Sequence, residues 1–240
     1  MIPILRNIGD EPNMRLHRVL RKFLVAIGAF IALSGTILWY LYLGPSPIRT
    51  FYSDSGAVYD ITFSPDGKLL ASRNFDGRIN IWDIHSGHMI NSLPESLKPD
   101  WFQIEPRQSK DGSIKVEFPD FGKTAHSRTI SVIDTNTNSE LIRFCAHPDQ
   151  VNAIAISPDN RFLVTGGGFG DHPWPINSAG DVRIWELKTG RLINRLTRHW
   201  DAISSVTISH DTHMLATSSL DGVVMLWNLD EVMPPVQWNK

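Results

Sequence analysis

This chain has very little cysteine, no surplus of basic charge and, over most of its length, no helical pattern. Cys145 is the only cysteine among 240 residues. No internal disulfide can form, and cysteine usage neither supports nor excludes an oxidising compartment. The formal net charge is −2, and after residue 44 carboxylates outnumber Lys and Arg. A region of that sign lacks the basic footprint of a nucleic-acid binder, so no nucleic-acid partner is expected. Few apolar residues there recur at helical spacing, and Gly or Pro interrupts at about every dozen residues, which excludes a helical bundle. Catalytic motifs are missing too. GGGFG (166–170) has no Lys-Ser/Thr and no following helix, so it is not a phosphate loop. There is no Gly-x-Ser-x-Gly elbow and no Cys–His nucleophile arrangement.

What the chain does have is repetition. DGRINIWDIHSG (76–87) returns as DVRIWELKTG (181–190) and DGVVMLWNLD (221–230). Upstream of each lies a second echo: FSPDGKLLAS at 63–72, ISPDNRFLVT at 156–165 and ISHDTHMLAT at 208–217. Ser64 and Trp82 are 18 residues apart, as are Ser209 and Trp227; Ser157 and Trp185 are 28 apart because GGGFGDHPWPINSAG is inserted. A worn copy, SKDGSIKVEF (109–118) with TISVID (129–134), has Ile133 in place of Trp. The equivalent serines 64, 109, 157 and 209 are 45, 48 and 52 residues apart, the mark of a repeat architecture. Pro-Asp-Gly and Asp-Gly are turn chemistry, and the runs between them alternate apolar and polar, so each unit reads as four short strands. One such sheet cannot bury both faces alone, but sheets stacked around an axis can.

In these motifs and this period, residues 48–229 resemble the WD40 family of β-propellers. The resemblance implies an all-β fold of four propeller blades and a scaffold rather than an enzyme. It also implies a structural tetrad of His, Ser/Thr, Asp and Trp in each blade. Repeat four would supply His199, Ser219, Asp221 and Trp227. Repeat one keeps Asp76 and Trp82 but has Asp54 at the His position. Repeat three keeps His147 and Trp185, with Ala179 at the Asp position. His147 and His199 are better explained by these roles than as catalysts.

Ahead of the repeats, FLVAIGAFIALSGTILWYLYL (23–43) carries no charge and is long enough to span a bilayer as a helix. Trp39, Tyr40 and Tyr42 cluster at its far end. Arg6, Arg15, Arg18, Arg21 and Lys22 precede it, and only Arg49 follows within 20 residues. The charge bias puts a cytoplasmic tail at 1–22, a transmembrane helix at 23–43, a linker at 44–47 and the repeat domain (48–232) on the other side, followed by a tail at 233–240. A cleaved signal peptide, or the reverse orientation with cytosolic repeats, are the alternatives; the long apolar run ending in WYLYL favours an uncleaved anchor. Gly28, Ala32 and Thr36 form a small-residue stripe that would let two such helices pair, so a homodimer is an option.

The phasing predicts that PIRTFYS (47–53) is an outer strand closing onto the last repeat, which ends after its third strand. Four blades leave three options: a small closed ring, an open arc, or a half-ring completed by a second copy. With the first outer strand starting near Ile48, the lower rim should face the bilayer and the upper rim point away. Two long inserts, PDFGKTAHSR (119–128) and GFGDHPWPINSAG (168–180), belong on the upper rim with RHWDA (198–202). They nominate Phe121, Phe169, His172, Trp174 and Trp200 as partner-binding residues, since aromatics are the usual anchors of protein interfaces. Plugging of the worn blades is the other role open to these aromatics. No cofactor or metal is expected: His85 with His88, and His210 with His213, lack a third ligand nearby, and Asp171 with His172 lacks a third partner for acid–base work. The expected function is a membrane-anchored scaffold for a protein partner. A propeller hydrolase outside the cytoplasm, or a truncated relic of a longer propeller, are the competing readings.

Overall fold

The computed structural model describes residues 45–103, 107–118, 128–168 and 180–233. Fifteen strands follow one another: β1 (Arg49–Tyr52), β2 (Val58–Phe63), β3 (Leu69–Asn74), β4 (Arg78–Asp83), β5 (Met89–Pro94), β6 (Ile114–Glu117), β7 (Thr129–Asp134), β8 (Ser139–Cys145), β9 (Val151–Ile156), β10 (Phe162–Gly167), β11 (Val182–Glu186), β12 (Leu192–Leu196), β13 (Ile203–Ile208), β14 (Met214–Ser219) and β15 (Val223–Asn228). They form four antiparallel sheets, ordered β2-β3-β4-β5, β6-β7-β8, β9-β10-β11-β12 and β13-β14-β15-β1. The all-β expectation holds. The expected transmembrane helix at 23–43 lies outside the described residues, among which no helix is long and apolar enough to cross a membrane.

The recurring serines explain why each unit folds alike. Ser64, Ser109, Ser157 and Ser209 each donate from Oγ to the Asp two residues on, at 2.6, 2.6, 2.6 and 2.5 Å. The same oxygens accept the backbone N–H of Leu69, Ile114, Phe162 and Met214 at 2.9–3.0 Å, locking the turn between the first two strands of each sheet. The turn's fourth position is left-handed each time: Gly67 and Gly112, then Asn160 (φ 57°) and Thr212 (φ 63°). Glycine and asparagine suit that geometry, whereas a β-branched threonine does not.

β1 completes the fourth sheet, pairing antiparallel with β15 from Arg49↔Leu226 to Tyr52↔Val223, as the phasing predicts. The Arg49 guanidinium then reaches the first sheet, donating to the carbonyls of His85 (2.8 Å) and Ser86 (3.1 Å). The chain bends at Ile48, and Arg198 Nε donates to the Pro45 carbonyl at 3.4 Å. Pro45 therefore lies beside the loop 197–202.

Stacking supplies the core. Leu70, Trp82 and Ile61 pack against Phe51, Ala216 and Leu226 between the first and fourth sheets. Phe162, Ile184 and Val164 meet Ile203, Leu215 and Trp227 between the third and fourth. Ile130 and Val132 pack against Ile154, Leu163 and Trp185 between the second and third. The sheets thus stack in the order second, third, fourth, first. No buried cluster among the described residues joins the first sheet to the second; Phe102 and Trp101 instead cover Ala71 and Ile79 on the first sheet's remaining face. The second sheet shows three strands among the described residues, its inner edge marked only by the bridge Gln108↔Lys115. In sequence Pro106 stands where the other repeats have Ile61, Ile154 and Val206. A proline has no N–H to give to a ladder.

Candidate functional site

Two buried polar relays fix the upper ends of the third and fourth sheets. In the fourth, His199 Nδ1 meets Asp221 Oδ2 at 3.1 Å and Nε2 meets Thr217 Oγ1 at 2.8 Å. Thr217 Oγ1 also accepts the Trp227 indole N–H at 3.0 Å. Read as a neutral ring with the proton on Nδ1, the donors run one way: indole to hydroxyl, hydroxyl to imidazole, imidazole to carboxylate. Ser219 is therefore not the hydroxyl of this relay. Both side chains lie on one face of β14, two residues apart, and Ser219 Oγ donates to the Asp201 carbonyl at 2.9 Å. Burial alone would raise the Asp221 carboxyl, but His199 and the N–H groups of Trp200 and Val223 hold it below its ordinary value.

The third sheet repeats the arrangement. His147 Nδ1 meets Asp181 at 2.8 Å, Nε2 meets Thr165 Oγ1 at 2.8 Å, and that hydroxyl accepts the Trp185 indole at 2.9 Å. The expectation that Ala179 leaves the Asp position empty is corrected by Asp181. Here the carboxylate directly precedes β11, four residues before Trp185; in repeat four it is six before Trp227. Asp181 also takes Arg183 (2.8 Å) and Arg195 (2.6 Å). Burial works to raise its carboxyl, but His147 and Arg183 outweigh it and hold the group well below the carboxylate range. In the first sheet Trp82 donates to Ser72 Oγ at 3.0 Å. Asp76 does not join it: that side chain is exposed and accepts the backbone N–H of Arg78 at 3.0 Å. With Asp54 replacing histidine, no imidazole bridges the two.

These relays brace a rim. Strands β13, β15, β2 and β4 begin there, and β1, β14 and β3 end there. Trp200 projects from the loop before β13, 86% exposed, while its backbone N–H donates to Asp221 Oδ2 at 2.9 Å. The Gly180 N–H donates to the Asp201 carbonyl at 3.1 Å, so the end of the 168–180 insert meets the Trp200 loop. Phe121, Phe169, His172 and Trp174 lie outside the described residues. Two aromatics that sequence reasoning passed over stand on the same rim. Phe75 is 68% exposed and Tyr59 40% exposed, their ring centroids 6.2 Å apart. The available signal was register: Phe75 in NFDG holds the place of Leu220 in SLDG.

The carboxylates held below their ordinary range do not converge elsewhere. Asp66, Asp111, Asp159 and Asp211 belong to the serine turns. A cleft of about 410 Å³ between β1 and the lower turns of the first sheet is lined by Ile48, Arg49, Lys68, Asp83, His85 and Leu226. It mixes both charges, and Arg49 is already engaged by carbonyls. His213 Nδ1 pairs with Asp230 at 2.9 Å on the surface.

Comparison with known proteins matches this geometry. A family model described as "WD domain, G-beta repeat" matches residues 45–83, 138–186 and 190–228, just over half of the chain. The stretch 84–137 that it passes over contains β5 and the first two strands of the second sheet, β6 and β7. The chain is 23% identical to Autophagy-related protein 16 of Arabidopsis thaliana over 185 residues, covering 73% of this chain and 31% of that protein. It is 24% identical to the U3 small nucleolar RNA-associated protein 15 homolog of Xenopus tropicalis over 186 residues (77% and 32%). It is 23% identical to Periodic tryptophan protein 2 of Saccharomyces cerevisiae over 195 residues (81% and 19%). The chain thus spans a third or less of the length of these curated relatives, none of which bears an enzyme's name.

Proposed function

Because the chain belongs to the WD40 family of G-beta repeats, we propose that it is a non-enzymatic scaffold, tethered to a membrane, that holds a partner protein on its upper rim. The observation that carries this reading is Trp200. It is the most exposed of the large hydrophobic residues described, yet its backbone is braced by the buried Asp221 of a relay. A large apolar ring offered to water on a rigid support contributes nothing to the fold, and it has the character of an interface anchor. The acidic balance of the repeats favours a protein partner over a nucleic acid. Phe121, Phe169, His172 and Trp174 would extend the same surface, since both inserts leave the sheets at this end.

The tether in this proposal is the uncharged segment 23–43, with the basic residues before it in the cytoplasm and the repeats on the far side. Pairing through Gly28, Ala32 and Thr36 would make the scaffold a homodimer, which the mass in mild detergent tests. Proximity labelling from the C-terminus in intact membranes tests partner and sidedness together. The expected result is a set of extracytoplasmic neighbours that Trp200→Ala depletes while the protein stays folded. Cytosolic neighbours would overturn the orientation, and an unchanged set would overturn the role of the rim.

A further inference from the structure

The exposed aromatics of the rim are not scattered. A path of backbone contacts runs from Trp200 to Asp221 and on to Gly222, whose carbonyl accepts the Ser53 N–H at 2.9 Å. A methyl on Gly222 would stand 3.0 Å from the Gly56 carbonyl, so the last turn of the fourth sheet rests on the loop that opens the first. The Phe75 N–H donates to the Ala57 carbonyl of that loop at 2.8 Å, and Tyr59 follows beside the Phe75 ring. One continuous edge therefore carries Trp200, Phe75 and Tyr59 across two sheets.

Carboxylates are interleaved with these rings. Asp54 and Asp76 are exposed on the same turns, and Asp201 is half-buried beside Trp200. The cations nearby are engaged. Arg73 is held by Asp60 and Glu95, Arg78 donates to Ser92 Oγ at 2.9 Å, and Arg198 turns to the Pro45 carbonyl. Lys98 lies in the segment after β5, between the exposed carboxylates Glu95 and Asp100. Bonds to neutral oxygens leave Arg78 and Arg198 charged, but Asp54, Asp60, Asp76, Glu95, Asp100 and Asp201 outnumber Arg73, Arg78, Lys98 and Arg198, so the balance around these turns is negative, and aromatic faces attract cations.

We propose that this rim docks a cationic segment of the partner protein, seating Arg or Lys side chains over Phe75, Tyr59 and Trp200 and against Asp54 and Asp76. This deepens the scaffold reading above and rests on it. The rings supply dry contact area and the quadrupole; the carboxylates supply sign selection and make capture sensitive to salt.

The test uses the full chain in a neutral detergent and a fluorescent hexa-arginine peptide, with a hexaglutamate peptide as control. The arginine peptide binds and the glutamate peptide does not, and added salt weakens the binding. Phe75→Ala and Trp200→Ala each weaken binding by about two- to fivefold, in line with exposed cation–π contacts. Asp76→Asn weakens it and flattens the salt dependence, while Asp230→Asn, the same charge change at the opposite end of β15, leaves it alone. No binding, or equal binding by the aromatic variants, overturns the proposal. If the peptide fails but Trp200→Ala still strips neighbours in membranes, the basic partner is wrong and the scaffold stands. If Trp200→Ala strips nothing, both fall.

Discussion

Replacing Thr217 by Val deletes one oxygen and keeps the β-branched shape. Two buried groups lose their partner at once: the Trp227 indole N–H and His199 Nε2, in residues 0% and 3% exposed. Leaving a buried donor or acceptor unpaired costs about 1–3 kcal/mol each, so the expected loss is about 2–6 kcal/mol. For a domain of this size each kcal/mol lowers the melting temperature by about 2–4 °C, which predicts a fall of about 4–24 °C. Thermal unfolding of the full chain followed by tryptophan fluorescence reads this shift. Hydrogen exchange of the Trp227 indole N–H, which should speed up in the variant, localises it. Ser219→Ala is the discriminating control. Ser219 is equally buried, but the Asp201 carbonyl that it bonds also accepts the Gly180 N–H, so only the Asp221 N–H loses its partner and about half the Thr217 loss, about 1–3 kcal/mol, is expected. A Ser219 variant that falls as far as the Thr217 variant, with the indole still protected in the latter, would refute the relay as drawn.

Three further outcomes follow from the same geometry. Asp181 has its native pKa depressed relative to an unfolded value near about 3.9, so its stabilising contribution is complete above that value and is lost as pH falls toward the native one. Asp181→Asn should therefore show a flatter urea midpoint below about pH 4 than the parent chain, and lower stability at neutral pH, where Arg183 and Arg195 lose their counter-ion. Gly180→Ala places a methyl on the Asp201 carbonyl and 3.0 Å from the Ile203 backbone nitrogen, between the third and fourth sheets; a marked loss of stability by circular dichroism is expected. Thr212→Gly removes a β-branched residue from left-handed backbone and should raise the melting temperature slightly, since such strain costs about 1–2 kcal/mol and added chain entropy offsets part of the gain.

How much of this the sequence discloses depends on whether alternation or register decides the matter. The closing strand is legible because PIRTFYS lies a full strand ahead of the first repeat while the last repeat lacks an outer strand. The serine turns are legible because their spacing is local. The relay hydroxyl is not, because Thr217 and Ser219 share a face of β14 and period two cannot separate them. A comparison across copies could have done so: Ser72 and Thr217 each stand ten residues before their tryptophan. Asp181 escaped because a spacing of six carried over from repeat four points to Ala179, whereas the insert returns to its strand two residues sooner. Phe75 and Tyr59 escaped because an aromatic beside a strand end reads as core, and only stacking shows which end is left bare.

The pairing of β1 with β15 has a consequence for how the molecule is made. Among the described strands, the first to be synthesised is the last that can be placed, because β1 pairs with β15. Ordering ends so far apart in sequence is entropically slow, and until it happens β15 shows a naked row of backbone donors and acceptors beside Val224 and Leu226. Clipping a few residues around Arg49–Tyr52 would leave every repeat intact and still recreate that raw margin in the finished protein. Proteolysis there would free that margin for self-association, within a few residues of Asp54 on the docking rim.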